Sequence, residues 1–87
     1  MLITAKQLIG LNVLTRSGRQ LGHVKDLEIN AETGQIENYL VAGSGLADKF
    51  LASELVIAKS QVIEINVKAV IVEDNLTEGA KLAEASV

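Results

Sequence analysis

The side chains able to do chemistry are few, and most lie between positions 16 and 28. His23 is the single histidine of the chain, and Lys25, Asp26 and Glu28 follow it within five residues. Asp26 and Glu28 stand two apart, so on a strand both carboxylates point to one side, the minimal geometry for a cation or an acid/base pair. A hard cation asks for six or more oxygen ligands, and no third carboxylate stands close by in sequence. The pair therefore reads as a solvated strand face, with Asp26 expected to accept hydrogen bonds from backbone or turn groups. His23 and Lys25, with Arg16 and Arg19 across a hairpin, form a modest basic patch, a candidate site for phosphate or an acidic partner. The competing reading of those charges is an exposed hairpin tip that carries them for solvation alone. With no cysteine and one histidine, disulfides, thiolate metal sites and multi-histidine zinc sites are excluded. Gly43-Ser44-Gly45 is followed by no Gly-Lys-Ser/Thr and reads as a flexible turn rather than a phosphate cradle. No Ser-His-Asp or Cys-His set can be assembled, so the expectation is a protein with no catalytic residue, cofactor or metal.

The elements that must position these residues are short. Thr4 and Gln7 have capping-box spacing, Ile3 and Leu8 that of a hydrophobic staple, and Gly10 that of a helix stop, which predicts a helix over Ala5 to Ile9. Leu11, Val13 and Leu14 form a strand leading into the hairpin turn Arg16-Ser17-Gly18-Arg19. In the partner strand, about Arg19 to Asn30, Leu21, Leu27 and Ile29 share one parity and Val24 has the other. A bulge or bend near Gly22 to Lys25 reconciles them and favours a curled sheet. Asn30-Ala31-Glu32-Thr33-Gly34 is a turn closed by glycine, and a third strand from Gln35 to Ala42 is apolar on both faces in its second half. After a loop through about Lys49, Glu54 to Ile57 makes a fourth strand. The stretch Val62 to Val72 alternates as one long strand, or else divides into a helical turn at Lys59 to Glu64, a turn at Asn66 and a strand from Val67 to Glu73. Residues 75–87 read as helix or disorder.

At 87 residues the chain is one domain, and its interior must be aliphatic, since 48% of residues are hydrophobic but only 2% aromatic. The net charge of −3 is uneven: positions 1 to 72 carry seven basic and seven acidic groups, leaving the surplus to Glu73, Asp74, Glu78 and Glu84 against Lys81. A neutral body speaks against a generic nucleic-acid binder. Apolar runs no longer than Tyr39 to Ala42 and Leu55 to Ala58 rule out an inserted membrane helix. With no basic, apolar leader at the start, a cytoplasmic location is the expectation.

The ordered motifs Gly10-Leu11-Asn12-Val13, Leu21-Gly22-His23-Val24-Lys25-Asp26-Leu27-Glu28-Ile29 and Glu32-Thr33-Gly34 together resemble the PRC-barrel family. The resemblance spans roughly Thr4 to Glu73. Two departures stand out: Ile57-Ala58-Lys59 lacks the proline that members often carry after the fourth strand, and Asn30-Ala31 replaces a common Asp-Pro. The resemblance implies a mainly β fold, a small, strongly bent antiparallel β-barrel with one or two short helical turns, and it favours the helical-turn reading of residues 59–64. Residues 1–74 would form the barrel domain and 75–87 an acidic C-terminal tail. It also implies an adaptor or scaffold working through protein contacts, with a ribosome- or RNA-associated maturation factor as the alternative.

Leu, Ile and Val make up 29 of the 87 residues, more than a small barrel readily encloses. That surplus predicts a homodimer, with Tyr39 and Val41 of the third strand or Val70 and Val72 of the last as contacts, and a further protein partner of unknown identity.

Overall fold

The computed structural model describes residues 1–43 and 54–74. Local sequence sets its first turn. The Thr4 hydroxyl accepts the Gln7 N–H at 3.1 Å while the Gln7 side chain accepts the Thr4 N–H at 2.8 Å, capping helix α1, Ala5–Leu8. Leu8 is buried, and Gly10 donates its N–H to the Val24 carbonyl at 2.7 Å, fastening the end of the helix to the sheet.

Six strands follow: β1 Asn12–Thr15, β2 Gln20–Ile29, β3 Ile36–Gly43, β4 Glu54–Ala58, β5 Val62–Ile65 and β6 Ala69–Val72. They form one sheet in the order β4-β3-β2-β1-β6-β5. The expected mainly β, bent, barrel-like fold is present, with one short helix and one 3-10 turn. One pairing departs from the antiparallel expectation, because β6 runs parallel to β1, with Val13 opposite Val70 and Thr15 opposite Val72. The reason lies in the chain path. β4 passes through the 3-10 turn Lys59–Gln61 straight into β5 without reversing, and a turn at Asn66 then sends β6 back alongside β1.

That path also curls the sheet. β4 and β5 occupy its two ends, yet only three residues separate them, so the sheet must bend until the end of β4 lies near the start of β5. No ladder joins those ends among the described residues; the chain itself spans the seam. Proline is absent here, and the Gln61 side chain does the positioning by accepting the Ala58 N–H at 3.1 Å.

The bend is concentrated in β2. Its register against β3 shifts between Val24 and Asp26 and again between Glu28 and Ile29, and against β1 between Val13 and Leu14. The first shift falls within the stretch where conflicting parity predicts a bulge, and it lets Val24 enter the core fully buried. Ile29 departs from the sequence pattern: beyond the second shift it is 56% exposed. Gly22, opposite Gly43, adopts φ +152°, and a Cβ there would run into the Ala42 carbonyl. Only glycine lets β2 and β3 approach so closely. At the β2–β3 turn, Gly34 at φ +81° donates to the Asn30 carbonyl at 2.7 Å, and the Asn30 side chain accepts from Glu32 and Thr33.

Leu8, Val13, Val24, Tyr39, Val41, Ile57, Val70 and Val72 form the core, flanked by half-buried residues such as Leu27, Leu55 and Val62. Four residues expected at a dimer contact are therefore interior. Val41 and Val72 are wholly buried, Val70 is 1% exposed and Tyr39 8%. Both faces of β3 are apolar, and its Tyr39–Val41 face is the one turned inward. The helical-turn reading of Val62 to Val72 holds with changed bounds, since the 3-10 turn ends at Gln61 and a separate short strand, β5, follows. The loop after Gly43 through Lys49, and the tail from Asn75, lie outside the described residues.

Candidate functional site

Arg16 and Arg19 sit, exposed, in the turn between β1 and β2, and a side-chain relay shapes that turn. Thr15, 3% exposed, accepts the Arg19 N–H at 3.0 Å and lies 3.2 Å from the Ser17 hydroxyl. Ser17 donates both its N–H and its hydroxyl to one carboxylate oxygen of Asp74, each at 3.0 Å. The Thr15 and Ser17 hydroxyls are within hydrogen-bond distance of each other, and either can be the donor. Arg16 completes the contact by donating its N–H to the Val72 carbonyl at 2.8 Å. Backbone and side-chain hydrogen bonds from Ser17, with smaller help from Thr15 and the Arg16 charge, hold the Asp74 carboxyl below its ordinary value.

This latch changes the reading of the basic patch. An acid from the far end of the chain stands in the hairpin beside Arg16. His23 and Lys25 are exposed on β2, but the Lys25 ammonium lies 2.8 Å from Glu54 on β4, and that hydrogen bond and charge raise its pKa above 10.5. Three cations and His23 are thus placed on β2 and the turn before it, with two acids set among them. Glu73 and Asp74 also belong to the end of the sheet, so much of the acidity counted toward the tail lies in the barrel.

Asp26 does what its position implies. Its carboxylate accepts the Leu27 N–H at 2.8 Å and steadies the bulge, while Glu28 accepts from Asn38 at 2.9 Å. Among the described residues no group of three or more potential ligands is arranged to hold a metal ion, and no helix is long and apolar enough to cross a membrane.

Strand pairing reveals a second surface that sequence reasoning missed. Opposite the core, Leu40 on β3 pairs with Val56 on β4, and Leu14 on β1 pairs with Ile71 on β6. All four are half-buried and stand outside the set packed against the core. Polar groups surround the Leu40–Val56 pair: Asp26 lies opposite Leu40, the Lys25–Glu54 pair flanks one side and Asn38 the other. The pair is thus an apolar spot on a solvated face, framed by charge. The alternation Leu40, Ala42 and Val56, Ala58 carries its signal, which two-faced apolar strands obscure.

A family model described as PRC-barrel domain matches residues 1–77. A search of curated proteins finds no match.

Proposed function

The chain belongs to the PRC-barrel family, and from that premise we propose that it is a non-enzymatic protein-interaction module that acts as a homodimer and docks a partner protein. The observation that carries this reading is the outward apolar pair of Leu40 and Val56, with a second outward pair, Leu14 and Ile71, elsewhere on the sheet across β2. A small barrel that keeps aliphatic side chains on both faces gains by covering the second one. The acids placed beside Arg16 and Lys25 make the hairpin a mixed-charge surface, better matched to a protein than to a phosphate backbone.

Light scattering at tens of micromolar tests the oligomer, with a dimer mass expected and a monomer mass refuting it. Partner docking is tested by affinity capture with the tagged chain and with Leu40→Asp. Specific retention by the wild type that is lost in the folded variant supports the reading. Equal retention by both removes this face from it.

A further inference from the structure

We propose that β4 is the dimer seam: two copies pair their β4 strands antiparallel about Val56, joining two barrels through one continuous sheet. This rests on the homodimer reading above and adds the surface and the register.

The two end strands of the sheet differ in how they are defended. β5 has four residues, a register shift across Ile63 and a charge, Glu64, at its centre. Bulges and charges are the devices that keep an edge from recruiting another strand. β4 has neither. Its five residues pair with β3 in unbroken register, Asn38 opposite Ala58 through Ala42 opposite Glu54, and Leu55-Val56-Ile57-Ala58 contains no charge, proline or glycine. Of these four only Ile57 is fully buried; Leu55, Val56 and Ala58 remain half-buried at the edge.

A second copy fits this edge because the strand is complementary to itself. A two-fold axis perpendicular to the sheet at Val56 sets Val56 against its own image. The outward row then reads Leu40, Val56, Val56, Leu40 across the seam. On the inward face Leu55 meets Ile57, continuing Val41–Leu55 of one copy into Ile57–Tyr39 of the other. The three central rows join apolar to apolar, and the two outer rows set Glu54 opposite Ala58. Glu54 and Lys59 bound the apolar stretch, so antiparallel pairing brings the acidic end of one strand to the basic end of the other, whereas parallel pairing would stack like charges. The contact is isologous and closes on itself.

The chain has no cysteine, so Val56→Cys introduces a single thiol. Residues opposite each other in an antiparallel pair lie about 4.5–5.5 Å apart between Cα atoms, within disulfide reach. Mild oxidation of full-length Val56→Cys should give a covalent dimer, while Glu64→Cys, on the β5 edge, should not. Val56→Lys should raise the dimer dissociation constant by about tenfold or more with its circular dichroism unchanged. A wild-type dimer with no Val56→Cys cross-link, or with an equal Glu64→Cys cross-link, overturns the β4 seam and leaves the homodimer reading standing. A monomeric wild type overturns both. Should Val56→Lys fail to fold, the cysteine pair still decides.

Discussion

Replacing Gly22 with alanine separates two costs that glycine positions usually mix. Gly22 and Gly34 both hold φ in the positive range, at +152° and +81°, so alanine at either site carries backbone strain of about 1–2 kcal/mol. Only Gly22 is also crowded. A Cβ there lands on the Ala42 carbonyl, with the carbonyl carbon at 2.8 Å and the Gly43 Cα at 3.0 Å, whereas at Gly34 nothing lies within 4 Å. The obstacles are backbone atoms of a paired strand, so relief requires β2 and β3 to move apart at the bend. Overpacking of that kind costs about 1–3 kcal/mol beyond the strain. Gly34→Ala is therefore expected to lose about 1–2 kcal/mol and Gly22→Ala about 2–5 kcal/mol. In a domain of this size each kcal/mol corresponds to roughly 4–8 °C in Tm. Urea melts of the two variants and the wild type, compared at constant m-value, measure the difference. If Gly22→Ala falls within about 0.5 kcal/mol of Gly34→Ala, the close approach of β2 and β3 is refuted.

Further expectations concern the latch, the core and the surface pair. The Asp74 carboxyl is held below 3.8, so its contribution is complete above that pH and disappears as pH falls through the lowered folded value. Asp74→Asn should therefore flatten the acid limb of the stability–pH curve; an unchanged limb would remove Asp74 from the latch. Ile57→Ala, at 1% exposure, should cost about 2–5 kcal/mol, against about 0.5 kcal/mol or less for Ile29→Ala at 56%, both read from chemical denaturation. Lys25 is raised above 10.5 by Glu54, so that pair stabilises below this pH and is lost as pH rises through the folded value. Lys25→Gln should be nearly neutral in melts at pH 7, since the pair is solvent-exposed, and a large loss there would show that it is better shielded than its surroundings indicate.

What the sequence made legible is what short-range chemistry decides. Thr4 and Gln7 lie three residues apart and satisfy each other's backbone groups, Asn30 and Gly34 close one turn, and parity conflict in β2 marks the bulge before Asp26. The parallel β1–β6 pairing joins segments nearly sixty residues apart, and Ser17–Asp74 spans 57, so neither leaves a local trace. Which face of β3 turns inward is hidden from the sequence for a related reason. Periodicity divides β3 into two faces but does not say which one meets the core, and the inward one carries Tyr39 and Val41. Its counterpart, Leu40 with Val56, emerges only when β4 is set in register. Arg16, Arg19, His23 and Lys25 are legible as exposed polar side chains, while the acids placed among them are not.

The 3-10 turn at Lys59–Gln61 has a mechanical consequence. A barrel closed by a full ring of strand ladders has a circumference fixed by its hydrogen bonds, and widening it means breaking some of them. Here a covalent link of three residues carries the closure, so widening the gap between β4 and β5 would break none of the ladders among the described residues. Such a scaffold resembles a split ring more than a hoop, held at one point by the chain and filled by its own core.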